Sequence, residues 1–224
     1  MTKSAETAHD LVVFGATSFV GQILTRYLLE TYGVGQSVKW AIAGRSESKL
    51  NTLKSSLGDK ARDLPVILAD AADDAALKSM CEQTRVIIST VGPYALYGEP
   101  LVKACVQTGT DYCDLTGEVQ WIRKMVERYE AEAKTSGARI VHCCGFDSIP
   151  SDMGVWFLQN QAEQTFGMPC QDVRMRVKTA KGEFSGGTVA SMMNVAKEAA
   201  ADPKLRKELA NPFSICPPEH RSKT

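Results

Sequence analysis

Residues 11–24 read LVVFGATSFVGQIL. The apolar run 11–14 has the length and character of a buried strand, and it ends at Gly15. Apolar residues then return at helical spacing, at Val20, Ile23, Leu24, Tyr27 and Leu28, so a helix is expected over 19–31. Gly15, Ser18 and Gly21 lie between and just inside these elements with the spacing G-x-x-S-x-x-G. Glycine lets a backbone turn sharply and approach another group, while a helix start offers unfilled N–H donors and a partial positive charge. A turn of this kind holds the pyrophosphate of a dinucleotide when it opens a parallel sheet, and the residues in play are Gly15, Ala16, Thr17, Ser18, Phe19, Val20 and Gly21. Taken alone it is equally a plain strand-to-helix turn. Ser18 stands where such loops often carry another glycine; its hydroxyl could cap the helix or donate to a phosphate oxygen.

The rest of the chain favours the cradle. Strands are expected at 38–43, 65–69, 85–90, 111–114 and 139–143, and helices at 46–57, 73–83, 99–108 and 119–136. Ser46 is the expected N-cap of its helix, and Gly109 and Gly137 stop theirs. Strand and helix alternating with short connections mean a parallel sheet covered on both faces. The fold class is therefore α/β, a Rossmann-type doubly wound parallel sheet. After Gly145 the pattern changes. GFDSIPSDMG is turn-rich and leads into a helix near 153–164. QDVRMRVK, 171–178, alternates as a half-exposed antiparallel strand does, and a helix follows over 189–201. These pieces give a nucleotide-binding domain over 1–150. Over 151–224 they give a hinge helix and the start of a second α/β domain, for substrate or oligomerisation, that stops short, as in a truncated chain.

Bulk properties bound the function. The 224 residues carry 26 basic and 26 acidic side chains, so nothing in the charge calls for nucleic acid. No window reaches the ~18 apolar residues of a membrane span. The polar N-terminus MTKSAETAHD lacks a secretory apolar core, so the expected location is the cytoplasmic side. The seven cysteines form no C-x-x-C and the three histidines are scattered, which predicts reduced thiols and no metal.

Strand tips carry the other candidates. Strand two ends in AIAGRSESK with Gly44 and Arg45 at the tip, where an NAD site usually places a carboxylate for the ribose 2′-hydroxyl. A guanidinium there can pair with a 2′-phosphate, which favours NADP(H) over NAD(H). The alternative is a solvated arginine. Asp70, ending strand three, could meet adenine or simply face a helix start. Strand four ends in STVGPYALYG, and Val91, Gly92 and Tyr94 would lie near the nicotinamide half. Proton donors for a hydride-transfer site are sought among Tyr94, Asp114 and Asp147, with Glu118 and Ser148 beside them. Each has a structural alternative; in DLTGE, Thr116 could cap a helix whose dipole the acids face. No tyrosine has lysine four residues on, which disfavours short-chain dehydrogenase chemistry. Cys143 and Cys144 end strand six, where buried thiols pack well; an activated thiol is the alternative.

Taken in order, GATSFVG, AGRS, VGPY, YCDLTGE, GFDSIPSD and SGGT resemble the saccharopine dehydrogenase-like oxidoreductases. More narrowly they are similar to the branch with the animal saccharopine dehydrogenase-like protein and the mycobacterial trans-acting enoyl reductases. The resemblance runs to about residue 201. It implies a Rossmann domain, a second α/β domain closing over the cofactor, and members longer than this chain. It further implies enoyl reduction on lipid-linked substrates in lipid and glycolipid metabolism, and association with lipid droplets or other membranes. The expected partners are thus a dinucleotide, an apolar or lipid substrate, a peripheral membrane surface and a second copy in a homo-oligomer. A different class stays open: a cofactor-binding, lipid-associated scaffold without turnover.

Overall fold

The computed structural model describes residues 7–179, 181–182 and 185–217. Six parallel strands form one sheet: β1 (His9–Phe14), β2 (Trp40–Gly44), β3 (Val66–Leu68), β4 (Thr84–Ser89), β5 (Asp111–Asp114) and β6 (Ile140–Val141). Their order is β3-β2-β1-β4-β5-β6. The chain thus builds outward from β1 in one direction, then returns to β1's other side with β4, which leaves a crevice at the carboxyl ends of β1 and β4. Registers fix this edge: Phe14 lies beside Ala43 on one side and Ser89 on the other.

Strand β1 alternates between two apolar layers. Val12 and Phe14 join a cluster with Ile87, Tyr112, Leu101, Val102 and Trp121. Val13 joins Ile42, Trp40, Leu28, Leu29 and Leu50 on the opposite face. Burial on both faces is why these strands read as continuous apolar runs. The helices of the domain are α1 (Phe19–Tyr32), α2 (Glu47–Ser56), α3 (Asp74–Glu82), the single turn α4 (Tyr94–Tyr97), α5 (Glu99–Thr108) and α6 (Val119–Ser136). Ser18 caps α1 by accepting from the Gly21 N–H at 3.0 Å, and Ser46 caps α2 from the Lys49 N–H at 3.4 Å. A cap of this kind contributes about 1 kcal/mol. Gly109 and Gly137 close α5 and α6 in the left-handed conformation.

Beyond β6 the chain forms α7 (Ile149–Phe166), α8 (Gly186–Ala201) and α9 (Pro203–Leu209). Helix α7 begins at Ile149, not near 153, because Pro150 sits in its first turn, where a missing N–H costs nothing. Residues 171–178 are not a strand. They alternate correctly, but no described strand lies beside them to complete a ladder, and without one an isolated extended segment forms no sheet.

Candidate functional site

The loops after β1 and β4 are bonded to each other. The Thr90 N–H donates to the Phe14 carbonyl at 2.9 Å, and the Thr90 hydroxyl lies 2.9 Å from the Gly15 carbonyl. The Ser18 and Thr90 hydroxyls are 2.9 Å apart. With Thr90 donating to the Gly15 carbonyl, Ser18 donates to Thr90 and accepts from Gly21, so its one hydroxyl hydrogen is used inside the loop. Gly15 has φ of +85°, in the left-handed region, and a Cβ there would lie 2.7 Å from Val91. Gly21 allows α1 to rest on the loop itself: a Cβ there would meet the Gly15 carbonyl oxygen at 2.3 Å.

The Gly15 and Ala16 N–H groups donate to the Ala43 carbonyl, Ser18 donates to the Gly15 carbonyl, and Gly21 donates to the Ser18 side chain. Thr17, Phe19 and Val20 have no N–H acceptor among the described residues. Three unfilled donors at the start of a fourteen-residue helix are what an anionic diphosphate requires.

Beside them opens a cavity of about 520 Å³. Ser18, Phe19, Val20, Gly92 and Tyr94 line one side, and α8 lines the other through Ser191, Met192, Val195 and Ala199. Asp147 lies at the cavity too, with an exposed side chain. Gly44, Arg45 and Asp70 stand at the tips of β2 and β3. Arg45 is exposed and makes no hydrogen bond or ion pair among the described residues. Asp70 is half-buried, and its carboxylate accepts from the Ala72 N–H at 2.9 Å, closing the turn into α3.

Two of the three proton-donor candidates are committed elsewhere. The Tyr94 hydroxyl donates to the Ser89 carbonyl at 3.0 Å and accepts from the Leu115 N–H at 3.4 Å. Burial pushes this phenol far above its ordinary pKa, and the Asp114 charge adds to the shift. Asp114 is itself buried, with four donors on its two oxygens: the Tyr112 hydroxyl at 2.9 Å, the Thr116 N–H at 3.1 Å, the Cys143 N–H at 3.1 Å and His142 Nδ1 at 2.7 Å. It holds the β5 and β6 tips together and keeps Cys143 in a left-handed turn at φ of 61°. Burial also raises the thiols there, Cys113 to about 12, with Cys143 and Cys144 shifted the same way, which is the opposite of nucleophile activation.

Sequence reasoning did not single out Thr90 or Ser191, took Thr116 only as a helix cap, and expected the helix over 189–201 without setting it against the site. The SGGT stretch opens that helix, and its Ser185 caps α8 by accepting from the Thr188 N–H at 3.2 Å. The cap of α6 also differs from expectation. Thr116 accepts from the Glu118 N–H at 3.1 Å, while the Glu118 carboxylate turns away from α6 toward α4.

The family profile described as saccharopine dehydrogenase NADP binding domain matches residues 11–141. The chain belongs to this family. NADP is accordingly the cofactor of the matched domain, and the three unfilled donors and the glycine cradle fit it. A protein of Mycobacterium tuberculosis is 42% identical over 208 residues, 93% of this chain and 49% of the relative. The trans-acting enoyl reductases of Mycobacterium bovis and Mycobacterium ulcerans are 39% and 37% identical over 212 and 213 residues. These matches cover 94% and 95% of this chain and 50% of each relative. The chain thus spans about half the length of the curated relatives it matches. Apo saccharopine dehydrogenase (L-Glu forming) from Saccharomyces cerevisiae aligns with a TM-score of 0.52 at 20% identity, over 69% of this chain and 31% of that one, a likeness of fold.

Proposed function

We propose that this chain forms the NADP(H) half of an oxidoreductase acting on an uncharged, apolar substrate of the enoyl type. The observation that carries the proposal is the cavity: the unfilled backbone donors of the loop after β1 and the apolar side chains of Phe19, Leu115, Met192, Val195 and Ala199 line the same space. The charged side chains lining it are Glu118 and Asp147. An anionic substrate, such as an amino acid, would meet two carboxylates there, whereas an acyl chain would meet methyl groups. When bound, the cofactor supplies or takes up hydride.

The chain's own residues divide the remaining work. Thr17, Phe19 and Val20 N–H groups hold the diphosphate. Arg45, exposed at the β2 tip, pairs with the 2′-phosphate. Gly92 lets the cofactor's ribose approach the β4 tip, and α8 excludes water from the far side. Asp147, the one of the three acid candidates whose side chain is not held in the core, lines the cavity and is the residue assigned to deliver the proton to the reacting carbon. A lipid-linked substrate would bring the protein to membranes, lipid droplets or glycolipid-assembling enzymes. The same arrangement supports a second reading, cofactor binding without turnover, because the Tyr94 hydroxyl and the Asp114 carboxylate are both occupied in the core.

Mixing this chain with NADPH and an α,β-unsaturated acyl thioester decides between them. Absorbance loss at the reduced-nicotinamide band, abolished by Asp147→Asn, is the result expected of the first reading. NADPH binding with no oxidation across enoyl and imine substrates would overturn it in favour of the second.

A further inference from the structure

Glu118 is buried, yet its carboxylate serves neither its own helix nor solvent. Oε1 accepts from the Tyr94 N–H at 2.7 Å, and Oε2 accepts from the Ala95 N–H at 3.0 Å. These are the first N–H groups of α4, the turn that follows Gly92 and Pro93 at the β4 tip. The third donor comes from across the cavity: the Ser191 hydroxyl of α8 reaches the same Oε1 at 2.9 Å. Helix α8 buries none of its residues fully, so apolar burial fixes it weakly against the sheet. Among the described residues its side-chain hydrogen bonds to the start of α6 are this one and one from Gln120 Nε2 to Glu198 at 3.1 Å.

We infer that Glu118 is a positioning residue that couples closure of α8 over the cavity to the placement of the Gly92–Tyr94 turn under the nicotinamide. This rests on the reading of the cavity as the NADP(H) and substrate site. One carboxylate has three donors and cannot serve one element without setting the other. With α8 seated, Ser191 draws on Oε1 and holds the carboxylate against the two N–H groups of the turn. With α8 displaced, Oε1 loses a partner and the carboxylate regains freedom. Glutamine has nearly the same shape but presents an NH₂ to one of the three donors, so it cannot satisfy the set. The expected effect is local to the nicotinamide end, since Arg45 and the loop donors lie on the β1–β2 side.

Two ligands separate this role from a merely structural one. NADPH occupies both ends of the site, whereas 2′,5′-ADP carries the adenosine end with its 2′- and 5′-phosphates and has no nicotinamide ribose or ring. Glu118→Gln should weaken NADPH by about tenfold and leave 2′,5′-ADP within about twofold. Ser191→Ala, on a half-exposed helix that has no part in the core, should weaken NADPH by about threefold to tenfold and lower the bound nicotinamide emission. Ser191→Thr, which keeps the hydroxyl, should restore both. The double variant should be no weaker than Glu118→Gln alone, because Ser191 acts through Glu118. If Ser191→Ala binds NADPH with wild-type affinity and emission, or if both ligands weaken together, the coupling is overturned while the cofactor site stands. If the wild-type chain binds neither ligand, the reading of the cavity falls and the coupling with it.

Discussion

Ser18 shows how a side chain in the glycine position of a dinucleotide loop can leave the ligand's donors untouched. Its hydroxyl is spent on the Gly21 N–H and on Thr90, while the unfilled donors are the backbone N–H groups of Thr17, Phe19 and Val20. Ser18→Gly should therefore cost about 1 kcal/mol of stability, from a poorer cap and the lost Thr90 bond. NADPH affinity should stay within about threefold. Denaturant unfolding and a fluorescence titration of the same variant check the two halves of this statement. At Asp114 the opposite holds, for there the side chain is the structure: four donors converge on it, and little of its carboxylate is left for chemistry.

At the scale of elements, Asp111 and Arg139 staple β5 to β6. Asp111 accepts from the Arg139 N–H at 2.9 Å and from the Arg139 Nε at 2.9 Å. Burial alone would raise this carboxyl, but the Arg139 side chain and backbone more than offset it and hold the group below the usual carboxylate range. A carboxylate depressed in the folded state adds stability above its unfolded pKa of about 3.9 and loses it as pH falls through the folded value. Asp111→Asn should thus be destabilised against wild type at neutral pH, with the gap closing below about pH 4, as followed by thermal unfolding across pH. Elements of this domain were legible wherever their signals were local. Helices α5 and α6 end where Gly109 and Gly137 stand, and Ser46 caps α2. What was not legible depended on distant partners. Helix α4, for which no helix was expected, forms because Glu118, 24 residues away in sequence, satisfies its first N–H groups. His142 looked like one of several scattered histidines until the parallel pairing of β5 with β6 set it beside Asp114. Residues 171–178 carry a strand's alternation without a strand's neighbour.

Across the whole molecule, the order β3-β2-β1-β4-β5-β6 sets the loop after Phe14 beside the turn after Ser89, and helix α8, bonded to Glu118 and Gln120, lines the same cavity. In the proposed complex the cofactor's two ends meet different parts of the chain, Arg45 and the loop at one end, Glu118 and α8 at the other. Isothermal titration of this chain with NADPH and with NADH, repeated on Arg45→Asp, tests this division most directly. The account predicts NADPH binding about tenfold or more tighter than NADH, with the preference lost or reversed in Arg45→Asp, since one guanidinium–phosphate pair is worth at least that factor. Equal affinity for both nucleotides, or a preference that Arg45→Asp leaves unchanged, would contradict it.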